Sequence, residues 1–355
     1  MGVKDFLQSS QEQSKPWVKT PLREGIGHYL VKRVEELPAD ISNPHIFCSS
    51  GGNAGLAAVH ASRTLGVPCT VVVPSTVKQL MVTKIKAAGA YEVLQHGDAW
   101  ADADKYMREE LMPQAGEAAI YAPPFDHPDI WAGNSSIMYE IADQMPDSPA
   151  DTIVCSVGGG GLLNGLAMAL DDLSLSDSTT VIGVETAGAE SLAAAVRAGQ
   201  LVTLPRITSQ ATSLGCARVT QLTLDTAQRA NFKGVVLPDA EAAMGCWRLA
   251  DDERIMVELA CGVNVALCYD GRLEKALGRK VRPDEKVVIV LCGGSNVTLN
   301  MLSEWRKEYA YLEEPVTRRK DSEVQDVPQE VPEIPRRAPV QRRWNEDILQ
   351  LEAKL

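Results

Sequence analysis

The chain has 355 residues, with 47 acidic and 35 basic side chains and a formal charge of −12. This length suggests two domains, and an apolar fraction of 45% with 23% charged residues excludes fibrous and wholly disordered classes. The negative charge argues against nucleic acid or an anionic membrane surface as a partner. Apolar runs fall short of the roughly 20 residues of a membrane span. The N-terminus has no signal-peptide core and no Cys-x-x-Cys pair occurs, so we expect a cytoplasmic protein.

Short β-rich runs alternate with segments of helical composition from about residue 40 to residue 310, which is typical of parallel α/β sheets. The expected strands are His45–Cys48, Cys69–Val73, Tyr91–Gln95, Thr152–Val157, Thr180–Glu185, Val235–Leu237 and Lys286–Cys292. The expected helices are Asn53–Leu65, Val77–Ala88, Ala99–Leu111, Leu162–Asp172, Ser191–Ala198 and Ala240–Asp251. Few strand runs alternate in polarity, so we expect helices to cover both faces of the sheets.

Two proline-rich stretches interrupt this alternation. The segment APPFDHPDIWAG at 122–133 is interpreted as the crossing between two lobes. After Glu313 the composition becomes proline-rich and charged, which predicts disorder over 313–355. The last residues, Trp344–Leu355, place apolar side chains near one helical stripe and predict a short C-terminal helix.

Four consecutive glycines, Gly158–Gly161, separate an expected strand from an expected helix. Backbone amides there can point together at a phosphate, although a flexible turn is the alternative. The Gly-Lys-Ser/Thr sequence of a nucleotide-triphosphate loop is absent. The dinucleotide pattern G-x-G-x-x-G fails at Leu163 or Asn164, so a nicotinamide-dependent oxidoreductase stays a weaker alternative that uses Glu185 as its ribose-binding acid.

A second glycine loop, SSGGNAG at 49–55, also follows a strand and opens a helix. Its hydroxyls and amides suit a small carboxylate, and the Asn53 side chain can bond a ligand oxygen. The alternative is ordinary helix capping by Ser and Asn. A third glycine turn, CGGSN at 292–296, follows the last expected strand, so we expect three loops to enclose one cleft.

The ordered set of motifs resembles the L-serine/L-threonine dehydratases among the fold-type II pyridoxal-phosphate enzymes, the group that includes the tryptophan synthase β-subunit. The resemblance covers about residues 19–306. The motifs are KTPLR at 19–23, GIGH at 25–28, SSGGNAG at 49–55, PPFDHPDIWAG at 123–133, SVGGGGL at 156–162, GVETAGAES at 183–191, ITSQATSLG at 207–215, VELACG at 257–262 and CGGSN at 292–296. In the VELACG motif, Leu259 stands where the family usually has proline.

This resemblance implies an α/β fold with two open, mainly parallel sheets flanked by helices. It implies a larger pyridoxal-phosphate domain, residues 14–33 and 126–312, and a smaller domain, residues 34–125. It also implies a homodimer that deaminates L-serine by β-elimination to pyruvate and ammonia. L-threonine would give 2-oxobutanoate in the same way.

The resemblance also implies the site residues, position by position. The cofactor contacts are Asn53, Gly158, Gly159, Gly160, Gly161, Leu162 and Cys292. The substrate-binding positions are Ser50, Gly51, Gly52, Asn53 and Ala54. A monovalent cation, expected to be potassium, would be held by Glu185, Ser191 and the carbonyls of Gly158, Ala189, Leu214 and Cys216. Without the family, Glu185 has a second interpretation as a helix-capping or salt-bridged acid.

The catalytic lysine of the family is absent at its expected position. In the family it lies in a Ser-Gly-Ser-Phe-Lys-like segment just before Gly-Ile-Gly-His, but here TPLRE at 20–24 runs directly into GIGH at 25–28. About 25 to 30 residues, one supersecondary unit, are missing. We interpret Lys15, Lys19 and Lys32 as solvated surface charges. Two hypotheses remain: an incomplete sequence of an active enzyme, or a relative that binds pyridoxal phosphate or an amino acid without turnover.

Overall fold

The structure, a computed structural model, describes residues 25–313. Its strands are β1 His45–Cys48, β2 Cys69–Val73, β3 Glu92–Gln95, β4 Ala119–Ala122, β5 Thr152–Ser156, β6 Thr180–Thr186, β7 Phe232–Leu237 and β8 Val287–Ile289. Its α-helices are α1 Gly25–Glu35, α2 Asn53–Leu65, α3 Gln79–Ala87, α4 Trp100–Tyr106, α5 Met112–Ala115, α6 Pro128–Gln144, α7 Gly161–Asp172, α8 Ser191–Ala198, α9 Gln221–Ala227, α10 Asp239–Glu253, α11 Leu259–Val265, α12 Arg272–Leu277 and α13 Leu299–Glu308.

The strands form two four-stranded sheets. The first has the order β3-β2-β1-β4, and the second has the order β7-β6-β5-β8. Each neighbouring pair of strands is parallel. In each sheet the first strand in the chain, β1 or β5, is a central strand. The next two strands are added on one side of it, and the last strand is added on its other side. Ligands of open α/β sheets bind where the strand order reverses in this way, at the carboxyl ends of the strands.

Helices cover both faces of the first sheet. One core contains the inward side chains of β1 and β2 together with α2, and Leu30 of α1 is completely buried in it. A smaller cluster on the other face joins Phe47 and Val72 to Met107. Helix α1 is also tied to α6, because Lys32 and Arg33 both pair with Asp129.

Two further clusters lie on opposite faces of the second sheet. One packs β5 and α7 around Ile153 and Leu166. The other packs α10, α11 and α13 around Ile182 and Val263. Burying β5 and β6 on both faces explains why their sequences are continuous apolar runs without alternation.

The predicted fold class is confirmed, and most predicted elements are present. Helices Asn53–Leu65 and Ser191–Ala198 have the predicted bounds. Strand Ala119–Ala122 was missed, and the last strand ends at Ile289, so Cys292 lies beyond it. The predicted helix Ala99–Leu111 becomes a π-helix after Tyr106.

The domain division stays a prediction. Residues 14–24 lie outside the described residues, as do the predicted disorder of the tail beyond residue 313 and its C-terminal helix. Helix α1 contributes Ile26, Tyr29 and Leu30 to the core of the first sheet.

Candidate functional site

The glycine loops after β1 and β5 begin helices α2 and α7, one on each sheet. The loop at 292–296 lies beside the first of them, because the Ser295 amide donates to Asn53 Oδ1 at 3.0 Å. The predicted meeting of loops is therefore observed for these two. The turn that contains Ser213 and Leu214 lies between the tetraglycine loop and the other two loops. Ser213 accepts a hydrogen bond from Asn53, and Leu214 lies next to Gly158.

The tetraglycine loop forms an anion cradle at the N-terminus of α7. Gly160 is the residue before the helix and has φ +98°, which only glycine adopts at low cost. Within the described part of the chain, the amides of residues 158–163 donate to no other group. These amides, with the positive end of the helix dipole, fit a phosphate.

A buried polar network supports this cradle from below. Thr220 and Thr223 begin α9, and both hydroxyls bond to the Asn164 side chain of α7, at 3.0 and 2.9 Å. The Thr220 amide also donates to the carbonyl of Gly159 at 3.2 Å. A Cβ atom on Gly160 would lie 1.8 Å from Thr223 Oγ1, so the network requires glycine at that position.

The sequence analysis missed this network. A visible signal was Asn164 within the apolar helix GLLNGLAMAL. An amide in such a helix requires hydrogen-bond partners when it is buried, and Asn164 is completely buried. Its partners lie 56 and 59 residues later in the chain, so no local pattern identifies them.

Phe125 forms one wall of the cradle. A Cβ atom on Gly159 would lie 2.3 Å from the Phe125 ring, and one on Gly161 would lie 2.8 Å from the Phe125 carbonyl. That carbonyl accepts a hydrogen bond from Trp131 Nε1 at 2.9 Å, which fixes the loop at the start of α6. Close packing against Phe125 therefore requires glycine at positions 159 and 161, whether or not an anion binds.

The loop of the predicted carboxylate site has the expected local form. The Ser50 hydroxyl accepts a hydrogen bond from the Gly52 amide at 3.3 Å, and α2 begins at Asn53. A Cβ atom on Gly55 would lie 2.0 Å from the Ser50 carbonyl, so the loop must pass close to the helix. The amides of Asn53 and Ala54 are in the first turn, where a helix has no internal acceptors. The loop is therefore suited to a small carboxylate.

The Asn53 side chain joins the two sheets. Its Nδ2 donates to Glu258 Oε1 at 2.8 Å and to Ser213 Oγ at 3.3 Å, and its Oδ1 accepts from the Ser295 amide at 3.0 Å. Glu258 is only 3% exposed, and its second oxygen accepts from the Asn296 amide at 2.9 Å. The sequence analysis quoted the VELACG motif but assigned no role to Glu258. The structure therefore adds a buried carboxylate to the cleft.

Cys292 is exposed at the edge of the cleft, near two buried cysteines. Burial raises the pKa of the Cys155 thiol to about 12, and Cys292 contributes to this increase. Burial also raises the pKa of Cys261, while the amides of Gly293 and Cys292 oppose that shift. The buried pair is therefore neutral at physiological pH.

Glu185 is 3% exposed and lies at the N-terminus of α8. Its carboxylate oxygens accept hydrogen bonds from the amides of Leu192 at 2.7 Å and Ala193 at 2.8 Å. Burial raises the pKa of Glu185 to about 8, although both amides oppose the shift. The hydroxyl of neighbouring Ser191 is buried and has no hydrogen-bond partner among the described residues. The capping interpretation of Glu185 is thus observed, and the cation site stays a prediction.

The predicted cation ligands fall into two observed groups. Ala189 and Ser191 lie beside Glu185 at α8, with the Ser191 amide donating to the Ala189 carbonyl at 3.0 Å. Leu214 packs against Gly158, whose Cβ would lie 3.3 Å from the Leu214 Cα. The Leu214 carbonyl accepts from the Cys216 amide at 2.7 Å.

A small cavity lies beside the turn at residues 210–213 and the start of α11. This cavity of about 40 Å³ is lined by residues that include Ser213, Glu258, Asn296 and Lys78. That volume holds on the order of three water molecules. The amides of the tetraglycine loop fit the phosphate of a cofactor. Lys32, one of the lysines considered above, pairs with Asp129. Lys15 and Lys19 lie outside the described residues.

Comparisons with known proteins agree with this geometry. The profile of the family described as "Pyridoxal-phosphate dependent enzyme" matches residues 26–293. An "L-serine dehydratase" of Saccharomyces cerevisiae (strain AWRI1631) is 43% identical over 284 residues, covering 77% of this chain and 84% of the relative. The "L-serine dehydratase/L-threonine deaminase" of Bos taurus is 39% identical over 286 residues, with coverages of 80% and 84%.

A solved structure is also similar. The crystal structure of a fungal L-serine ammonia-lyase from Rhizomucor miehei superposes with a TM-score of 0.73 and 33% identity, covering 81% of this chain and 89% of that one. Among the described residues, no helix combines the length and the hydropathy needed to cross a bilayer.

Proposed function

Because this chain belongs to the family of pyridoxal-phosphate dependent enzymes, we propose that its cleft deaminates L-serine to pyruvate and ammonia. The observation that carries the proposal is the pairing of two backbone anion sites. One is the amide cradle at residues 158–163, and the other is the loop at residues 50–54. An amino-acid substrate has one carboxylate, and the cofactor has one phosphate, so the two sites match the two anions.

Each part of the cleft has a separate task. The amides of Gly158–Gly161 and Leu162 would hold the cofactor phosphate, and Asn53 would hold the ring oxygen. Ser50 and the amides of Gly51–Ala54 hold the substrate carboxylate. These contacts would hold the substrate in a single orientation.

When bound, pyridoxal phosphate supplies an electron sink for the carbon that loses its proton. Cys292 would be the residue that contacts the ring nitrogen. A thiol would not force that nitrogen to be protonated as a carboxylate would, so the ring would store less charge. Weak storage favours prompt loss of the β-hydroxyl over transamination.

L-Serine is the first proposed substrate because it is named for both curated relatives described above. L-Threonine, named for the bovine relative, is the second substrate to test. The homodimer and the cytoplasmic location remain proposals. The nicotinamide-dependent alternative loses its basis, because the family match spans both the tetraglycine loop and Glu185.

The potassium site is also a proposal. It is supported by the buried carboxyl group of Glu185, by the neighbouring carbonyls and by the Ser191 hydroxyl, which has no hydrogen-bond partner within residues 25–313. Oxygen ligands of this kind suit hard cations. Potassium chloride should raise the melting temperature relative to tetramethylammonium chloride at equal ionic strength. The E185Q variant should lose this difference, and an equal response of both proteins would contradict the site.

A second candidate function is binding of pyridoxal phosphate without turnover. It is favoured by the missing Ser-Gly-Ser-Phe-Lys segment. Equilibrium dialysis with pyridoxal phosphate, followed by a pyruvate assay with L-serine, separates the two. Binding with repeated turnover supports the deaminase, binding alone supports the second candidate, and no binding contradicts both.

A further inference from the structure

Another cavity lies on the first sheet, toward the amino ends of its strands. Its volume is about 260 Å³, and its polar and aromatic lining residues are His45, Phe47, Thr70, Tyr91, Glu92 and Gln114. His45 and Glu92 are the first residues of β1 and β3, whereas the glycine loop at 49–55 follows the carboxyl end of β1. The cavity is therefore separate from the candidate site, and none of these six residues belongs to a motif used to assign the family.

The register of the strands brings the lining residues together. Phe47, Thr70 and Glu92 are neighbours across β1, β2 and β3 and share one face of the sheet. This face is covered by α4, by α5 and by the π-helix Met107–Leu111 between them. A π-helical segment is rare and is frequently found at a functional site. Its last residue, Leu111, lines the cavity, which therefore lies between the sheet and its helical cover.

Three aromatic rings line this cavity. The rings of His45 and Phe47 are stacked, with centroids 4.6 Å apart, and the Tyr91 ring meets His45 edge-on at 5.3 Å. The His45 ring is held in place by Thr70, whose Oγ1 is 2.8 Å from Nε2. Tyr91 is 70% exposed although it lies beside two held rings. An aromatic ligand can therefore add a further stacked or edge-to-face contact at this corner.

Glu92 determines the charge that the cavity accepts. Among the described residues that line it, Glu92 is the only acid, and none is a lysine or an arginine. Burial lowers the pKa of His45 from its ordinary 6.5, although Glu92 opposes the shift, so the imidazole is neutral at physiological pH. A carboxylate beside aromatic rings attracts a cation through its charge and through cation–π contacts, and it repels an anion.

The volume sets the size of the ligand. A protein cavity of about 150 Å³ accommodates benzene. A cavity of about 260 Å³ therefore has room for an aromatic ring with a short charged substituent. We propose that this cavity binds a small aromatic cation, with its ring against Tyr91 and His45 and its charged group at Glu92. The inference depends neither on the cofactor nor on the proposed deamination.

Isothermal titration calorimetry of the full-length protein with benzyltrimethylammonium tests the proposal. This cation has no N–H group, so it cannot react with an aldehyde cofactor. Benzyl alcohol supplies the ring without the charge, and tetramethylammonium supplies the charge without the ring. We expect one benzyltrimethylammonium to bind per chain, and each comparison compound to bind at least about five-fold more weakly. The absence of saturable binding, or an equal affinity for either comparison compound, would overturn the proposal.

Two variants locate the binding site on the protein. Glu92 and Tyr91 are exposed, so E92Q and Y91A should fold, which circular dichroism and thermal melting check. E92Q should bind benzyltrimethylammonium about two- to five-fold more weakly, and Y91A about two- to ten-fold more weakly. The matched controls are Y91F, which keeps the ring, and E253Q, which removes an exposed acid from α10 of the second sheet. Both controls should bind as the parent does.

Competition separates this cavity from the cleft at the glycine loops. An excess of L-serine should leave the affinity for benzyltrimethylammonium unchanged. Competition by L-serine would assign the cation to the cleft and overturn the proposal. An affinity in E92Q or in Y91A equal to that of the parent protein would overturn it as well.

Discussion

The G160A variant tests the structural basis of the phosphate cradle. Gly160 has φ +98°, where an alanine costs about 1 to 2 kcal/mol of backbone strain. The added Cβ would also lie 1.8 Å from Thr223 Oγ1, which bonds to the Asn164 side chain at 2.9 Å and to Thr220 Oγ1 at 2.8 Å. Separating these buried partners costs about 1 to 3 kcal/mol more. We therefore expect a total loss of about 2 to 5 kcal/mol in the free energy of unfolding.

Gly199 provides the matched control. It ends α8 with φ +65°, but a Cβ atom there meets nothing within 4 Å. The G199A variant should therefore lose only the strain, about 1 kcal/mol. Urea unfolding followed by circular dichroism measures both values, and equilibrium dialysis measures pyridoxal phosphate binding. G160A should also bind the cofactor more weakly, whereas G199A should not. Equal losses of stability in the two variants would refute the role of the Thr223 contact.

Three further predictions concern charges and the junction of the sheets. Burial raises the pKa of Glu185 from its ordinary 4.5 to about 8. Between these pH values the folded chain retains a proton that the unfolded chain loses, so the free energy of unfolding should fall as the pH rises from 4.5 to 8. Urea midpoints across this range should show a smaller fall for E185Q, and identical slopes would contradict the shift. Burial raises the pKa of Asp129, but Lys32 and Arg33 outweigh it and hold the pKa below its usual range. The D129N variant should therefore lose about 1 kcal/mol of the free energy of unfolding at neutral pH, and this loss should become smaller as the pH falls through the pKa of Asp129. A loss that does not depend on pH would argue against the ion pairs. N53A removes the amide that bonds a buried carboxylate and should cost about 1 to 3 kcal/mol in urea unfolding; an unchanged midpoint would show that this junction adds nothing to stability.

The sequence predicted those parts of the fold that rest on local pattern. Apolar runs identified β1, β2, β5 and β6, because strands covered on both faces are continuously hydrophobic. Strand Ala119–Ala122 was not predicted from the sequence. Its place beside β1 is set by tertiary pairing rather than by propensity.

In the candidate site, too, the features marked by local sequence could be predicted, and those that depend on distant contacts could not. The glycine loops could be recognised because their function depends on backbone amides, which the sequence marks by the absence of side chains. Phe125 and Glu258 could not be assigned, since their roles depend on contacts with distant segments.

Pyruvate formation from L-serine by the purified full-length chain, with pyridoxal phosphate added, tests the central claim most directly. Lactate dehydrogenase with NADH measures pyruvate continuously, and a parallel ammonia assay checks the stoichiometry. The proposed function predicts equal amounts of pyruvate and ammonia, exceeding the amount of protein many times. A protein that binds the cofactor but forms no pyruvate would contradict it.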